Sequence, residues 1–259
     1  MTISVKDKLK DSPLNKGHLN GVKIIPAKDK LILALDTPDF TSAKTIVENL
    51  GDEVNFYKIG LEMMMSGSYF EMIKFLKSKN KKIFADLKLY DIPETVGRAV
   101  RNLAQYEVDF LTIHTANHDM MARAAQNKGK MQIIAVTVLT SLAQNDLNEM
   151  GFNAQISVEE LVLKKAAAAL KAGLDGVVAS ALEAKKLRQE LGENFLIVTP
   201  GIRLESAKDN NDDQKRTTGV AEALSYGATH LVVGRPITQS ENQRATAQKI
   251  NEMILKSAK

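Results

Sequence analysis

The sequence predicts an α/β protein folded as a single (β/α)8 barrel, and three observations predict it. Its 259 residues exceed a typical domain yet suit one closed barrel. Short β-branched or apolar runs alternate with longer segments of helical period, as in successive parallel βαβ units. No linker or low-complexity tract divides the chain, and 44% hydrophobic with 25% charged residues is the balance of one globular domain with a large core.

Taken in order, residues 1–29 read as an N-terminal extension, a surface tail with at most a short helix, and 30–259 as the barrel. LILAL at 31–35 is the first strand, an unbroken apolar run, followed by a helix over 41–50. VNFYKI at 54–59 is the second, with a helix over 69–79. KIFAD at 82–86 leads into a helix over 92–106, and FLTI at 110–113 is the fourth strand. IIAVTV at 133–138 precedes a helix over 158–172, whose alanine-rich half reads as close packing on the sheet. GVVA at 176–179, LIVT at 196–199 and HLVV at 230–233 complete the strands, each trailed by a helical segment, at 181–191, 219–226 and 241–256. The methionines at 63, 64 and 65 read as apolar packing.

Composition removes several functions. The chain has no cysteine, which excludes disulfide frameworks, thiolate metal sites and thiol nucleophiles. A net charge of +4 permits an anionic ligand. Basic residues are nevertheless interspersed with acidic ones, and no run combines bases with stacking rings, so no nucleic-acid interface is expected. No stretch is long and apolar enough for a membrane span, and the first residues lack the apolar core of a secretory signal, so a cytoplasmic protein is expected.

In barrels of this class, chemistry sits at the C-terminal ends of the strands. Here those ends are ionic: Asp36 after the first strand, Lys58 in the second, and Asp86 and Lys88 in the third. Side chains two apart on a strand share a face, so Asp86 and Lys88 should point together into the barrel mouth. Four charges of alternating sign would converge there, a pattern typical of functional clefts. A lysine among carboxylates keeps its ammonium form, which argues for a proton donor and against Schiff-base chemistry. An aspartate facing a substrate carboxylate would repel it until carbon dioxide leaves, while an ammonium stabilises and then protonates the carbanion. The loops after strands seven and eight commonly bind phosphate, and Arg235 lies there behind Gly234, which allows close backbone approach.

The segment Asp86-Leu87-Lys88-Leu89-Tyr90-Asp91-Ile92-Pro93-Glu94-Thr95 resembles the signature of orotidine 5'-phosphate decarboxylases. LALD at 33–36, YKIG at 57–60, TVLTS at 137–141, TPGIR at 199–203, DQKR at 213–216 and VVGRPI at 232–237 follow in family order. The resemblance spans the whole barrel and implies a cofactor-free and metal-free decarboxylase of the bacterial monofunctional type, converting orotidine 5'-phosphate to UMP. It implies that Asp36 and Lys58 hold the ribose, with Lys58 also bracing Asp86, and that Lys88 donates the proton. It further implies that Asp91, Ile92 and Thr95 reach into the partner's site of a homodimer. Thr140 would contact the pyrimidine, Arg235 and Gly234 the phosphate with help from Arg203, and Gln214 would bridge phosphate and base.

The sequence departs from that family at Leu89, Tyr90 and Glu94, in a longer acidic segment between Arg203 and Gln214, and around His114 to Asn117. None of these changes removes an ionic group of the array. His114 reads as a packed or hydrogen-bonded structural residue, and His118 as a residue near a helix start. Two other readings are carried forward. One is a magnesium-dependent sugar-phosphate decarboxylase of the same barrel superfamily, such as a 3-keto-gulonate 6-phosphate decarboxylase, which shares the Asp-x-Lys-x-x-Asp pattern. The other is a silent phosphate-binding barrel.

Overall fold

The computed structural model describes residues 25–152, 155–204 and 218–257. Eight parallel strands close into a barrel: β1 Leu31–Ala34, β2 Phe56–Gly60, β3 Lys82–Leu89, β4 Phe110–His114, β5 Gln132–Val136, β6 Gly176–Val178, β7 Leu196–Thr199 and β10 His230–Val233. Closure is made by β1 pairing with β10, Leu31 opposite Leu231. Two further short strands, β8 Ile202–Arg203 and β9 Thr218–Gly219, pair outside the barrel.

Every predicted strand is present, two with the predicted ends, at 196–199 and 230–233, and six with shifted ends. β2 begins at Phe56 rather than 54, and β3 runs three residues past 86, to Leu89. Several predicted helices are one to three residues shorter, as at Pro93–Ala104, where Pro93 sits at the first helical position and Ile92 precedes it. Beyond the short turn Ala27–Lys30, four α-helices among the described residues lie outside the predicted helical ranges: Leu61–Met65, His118–Asn127, Gln144–Glu149 and Arg235–Thr238. Three of them are too short for periodicity to register. His118–Asn127 starts instead on a side-chain cap, Asn117 accepting from the Met120 amide at 2.9 Å. The three methionines do not pack alike. Met63 is fully buried whereas Met65 is 79% exposed, because consecutive helical residues point about 100° apart.

Two apolar cores divide the interior. The larger lies between sheet and helices, and the smaller fills the barrel itself with Ile32, Phe56, Phe84, Phe110, Ile134 and Val198. Phe110 meets Phe56 edge-on at 4.9 Å and Phe84 at 5.7 Å. Side chains alternate along a strand, so the inward residue two beyond Phe56 is Lys58, two beyond Phe84 is Asp86, and two beyond Phe110 is Thr112. The aromatic plug is therefore the floor beneath the ionic mouth.

The opposite end of the barrel is closed by polar pairs. The helical turn Ala27–Lys30 buries Asp29, which accepts from Asn55 and Lys82, both at 2.6 Å. Asp109, Asp175 and Thr229, each just ahead of a strand, accept from the amides of Ile83, Ile133 and Ile197 on the preceding strand. These bonds satisfy donors that would otherwise be stranded at the strand starts. Gly176 on β6 is required by proximity, since a Cβ there would collide with the backbone of Leu196.

His230 is buried in this lower layer, its ring edge-on to Phe110 at 5.0 Å. Burial, reinforced by Lys82, pushes its pKa down to about 3. An unfolded histidine titrates near 6.5, so as pH falls below that value the unfolded chain gains a proton that the folded one refuses. Stability contributed by neutral His230 is thus present above about pH 6.5 and is lost as pH falls toward 3. Between pH 7.5 and 5 the parent should lose roughly 2 kcal/mol more than a His230→Gln variant. Urea unfolding at the two pH values measures this, and equal losses would show that His230 is not held neutral.

Candidate active site

Four ionic side chains meet at the mouth of the barrel as a ladder of alternating sign. Lys58 Nζ lies 3.0 Å from Asp36 Oδ1 and 3.4 Å from Asp86 Oδ2, and Lys88 Nζ lies 2.8 Å from Asp86 Oδ1. The side chains of Lys58 and Asp86 are each only 13% exposed, against 33% for Lys88 and 60% for Asp36. The ladder thus runs from a solvated carboxylate through a buried pair to an ammonium facing the cavity.

Burial by itself would favour the uncharged forms of both inner groups. Opposite charges outweigh it. Asp86 and Asp36 hold the Lys58 ammonium above the ordinary lysine range, and Lys58 and Lys88, with a hydrogen bond from Thr112, hold the Asp86 carboxyl below the ordinary carboxylate range. Both groups are therefore charged at neutral pH.

Simple alternation along β3 does not by itself produce this convergence. The ladder between β3 and β4 shifts register between Ala85 and Leu89, and Lys88 has a left-handed backbone with φ +48°, uncommon outside glycine. In that bulge the Lys88 amide donates to Thr112 Oγ1 at 3.0 Å, and Thr112 Oγ1 donates to Asp86 Oδ1 at 2.8 Å. Thr112 is fully buried and was missed in the sequence. Its signal was there: a lone hydroxyl at the inward position of an apolar strand, two residues beyond Phe110.

The array opens on a cavity of about 290 Å³, near the lower bound of small-ligand sites. Asp36, Lys58, Asp86 and Lys88 line it together with Arg203, Gly234 and Arg235, and with Thr140 and Ser141 from the loop after β5. Pro200 and Gly201 after β7 also face it, and Gly201 takes φ +75°, a left-handed turn that glycine adopts without strain. Arg203 lies on β8, paired with Gly219 of β9, so the two ends of the intervening segment are joined beside the cavity. Gln214, with Asp209, Asp212 and Asp213, lies outside the described residues.

Asp91, Ile92 and Thr95 do not join this cavity. All three are exposed, and Asp91 and Ile92 line a separate open cleft with Tyr90, Pro93 and Thr115 to Asn117. His114 is not among the residues lining the main cavity. It is half-buried, with its ring edge-on to Tyr90 at 6.1 Å, and burial, with Lys165 and Lys88 nearby, lowers its pKa. Glu94 pairs with Arg123 at 3.4 Å on the surface. Among the described residues no three His, Asp or Glu side chains gather as a metal site would need, and no helix is long and apolar enough to cross a membrane.

The ladder has a thermodynamic signature. Depressed Asp86 contributes stability above about pH 4 that is lost in acid, and raised Lys58 contributes below about pH 10.5 and is lost in alkali. Lys58→Met should cost about 3 kcal/mol at pH 7, the low end for breaking a buried pair because Lys88 still faces Asp86. The penalty should shrink below pH 4, and a pH-independent penalty in chemical denaturation would contradict the ionic account.

A family model described as "Orotidine 5'-phosphate decarboxylase / HUMPS family" matches residues 29–250. The chain is 51% identical over 232 residues to the orotidine 5'-phosphate decarboxylase of Methylococcus capsulatus, covering 90% of this chain and 94% of that protein. It is 44% identical over 231 residues to that of Xanthomonas euvesicatoria, covering 89% and 93%. Among solved structures, orotidine 5'-phosphate decarboxylase from Lactobacillus acidophilus superposes with a TM-score of 0.77 at 32% identity, covering 87% of this chain and 99% of that one.

Proposed function

Because the chain belongs to the orotidine 5'-phosphate decarboxylase family, we propose that its cavity binds orotidine 5'-phosphate and releases UMP and carbon dioxide, in the last step of de novo pyrimidine nucleotide synthesis. The observation that carries this reading is the Asp36-Lys58-Asp86-Lys88 ladder sharing one cavity with Arg203 and Arg235. A nucleotide with its phosphate on the arginines would lay its base against the ladder.

In that pose Asp36 and Lys58 hold the ribose hydroxyls, and Asp86 stands beside the substrate carboxylate. Two like charges about 4 Å apart at an effective dielectric of about 20 repel by about 4 kcal/mol, a useful part of the barrier reduction enzymes supply. The bond from the pyrimidine ring to the carboxyl carbon breaks, its electron pair stays on the ring carbon, and carbon dioxide departs. Lys88 then transfers an ammonium proton to that carbon and is reprotonated by water. Thr140 contacts the pyrimidine, Gly234 lets the phosphate approach the backbone, and Gln214 bridges phosphate and base. Anchoring the phosphate, remote from the reacting carbon, directs binding energy into orienting the base.

The chemistry needs no cofactor or metal ion, since each charge it requires is a side chain of the ladder. Residues 30–259 form the catalytic unit, working in the cytoplasm. Two copies pair so that Asp91, Ile92 and Thr95 of one complete the site of the other. Exposure of Ile92 at 65% and Tyr90 at 71%, beside an open cleft, supports that pairing, as large apolar side chains at such a rim favour a covering partner.

Purified protein given orotidine 5'-phosphate without added metal should release carbon dioxide, undiminished by EDTA, and Lys88→Ala should lower turnover by at least about 1,000-fold. Loss of activity in EDTA would favour the magnesium-dependent sugar-phosphate reading instead. Site sharing has its own test. Lys88→Ala and Asp91→Asn, each inactive alone, should regain up to about a quarter of parental activity when co-refolded, because random pairing gives half heterodimers with one intact site each. No recovery would place Asp91 within its own subunit's site, and an active Asp91→Asn protein would place it outside catalysis.

A further inference from the structure

We infer that Thr112 is a positioning residue for this reaction, its hydroxyl fixing the Asp86 carboxylate and the Lys88 backbone together in the geometry the ladder needs. The inference rests on the decarboxylase reading of the cavity and goes beyond it to a residue that touches no substrate.

Proton counting fixes the direction of the contacts. Thr112 Oγ1 is met at 3.0 Å by the Lys88 amide, which can only donate, so the hydroxyl oxygen accepts there. Its single proton is left for Asp86 Oδ1 at 2.8 Å. The same carboxylate oxygen takes Lys88 Nζ at 2.8 Å. A closed circuit results: Lys88 backbone to Thr112, Thr112 to Asp86, and Asp86 to the Lys88 side chain. Asp86 Oδ2 faces Lys58 at 3.4 Å, so both carboxylate oxygens are engaged and rotation about the Cβ–Cγ bond is blocked.

The circuit sits where regular pairing lapses. Between Ala85 and Leu89 the register with β4 shifts, and Lys88 takes φ +48°, a conformation that persists only where the surroundings impose it. The Thr112 hydroxyl provides the acceptor for the Lys88 amide inside that gap. Thr112 comes from the centre of β4, opposite Ile134 of β5, and is fully buried, so its rotamer is set by packing. The proton donor is thereby referenced to the barrel wall as well as to its own strand.

The test separates the hydroxyl from the packing. Thr112→Val keeps the shape and loses the hydroxyl, whereas Thr112→Ser keeps the hydroxyl and loses a methyl. Steady-state turnover of orotidine 5'-phosphate should show kcat lowered about 10- to 100-fold in Thr112→Val, the range for one lost hydrogen bond to a charged group. KM should stay within about 2-fold, because the phosphate contacts are untouched, and Thr112→Ser should recover kcat to within about 3-fold of the parent. A Thr112→Val enzyme with parental kcat, or a Thr112→Ser enzyme worse than Thr112→Val, would overturn the inference by assigning Thr112 to packing alone. If Thr112→Val does not fold, Thr112→Ala against Thr112→Ser, which differ by the hydroxyl alone, gives the same comparison, with equal kcat overturning it. A parent without turnover would remove the decarboxylase reading and this inference together, whereas an active parent with indifferent variants removes only the inference.

Discussion

Asp86 is a carboxylate taken out of water at the centre of a protein mouth, and the site depends on its remaining ionised there. A buried ion carries a desolvation penalty of several kcal/mol, tolerated only when geometry and hydrogen bonding are good. Here an ammonium stands on each side, at 3.4 Å from Lys58 and 2.8 Å from Lys88. Lys58 is steadied in turn by Asp36. Each charge justifies its neighbour, and the chain of justification ends at solvent, where Asp36 needs no further partner. Removing Asp86 or Lys58 leaves each neighbouring charge with one partner fewer.

The barrel supplies the rigidity such an arrangement demands. Parallel strands deliver inward side chains in layers, so an aromatic ring lies below each of three polar groups: Phe56 under Lys58, Phe84 under Asp86, Phe110 under Thr112. The aromatic floor excludes water from below and restricts the rotamers above it. Stability and chemistry are thus assigned to opposite ends of the same strands. Asp29, Asp109, Asp175 and Thr229 tie off the lower rim with hydrogen bonds, leaving the upper rim free to carry charge and a strained backbone. The bulge at Lys88 is the local cost of this division. Regular pairing gives way where the donor must be aimed, and a neighbouring strand's hydroxyl substitutes for the missing ladder contact.

Opposing chemistries also share the cavity without cancelling. Asp86 lies on β3, three strands around the barrel from β10 and four from β7, whose following segments carry the guanidinium groups, whereas Asp36 follows β1, the neighbour of β10. A ligand carrying two separated negative groups can therefore meet cations at one end and a carboxylate at the other. Asp91 and Ile92, one turn beyond the ladder, face a different cleft altogether, so the third strand's signature divides its residues between two surfaces.

The sequence determined the strand order, the barrel class and most of the ionic inventory, because alternation of apolar runs with helical periods, and the residue types at strand ends, are local properties of the chain. Asp36, Lys58, Asp86, Lys88 and Arg235 were legible at or just beyond strand ends, and Arg203 through the family resemblance. Short helices such as Arg235–Thr238 were not, since one turn has no period to read. Only the tertiary structure decided how Lys88 turns inward, through a register shift against β4 that no stretch of β3 encodes alone. It also decided that Thr112 belongs to the site. A buried threonine in a strand reads locally as packing, and its role emerges only when a neighbouring strand places a carboxylate and an amide on either side of its one hydroxyl.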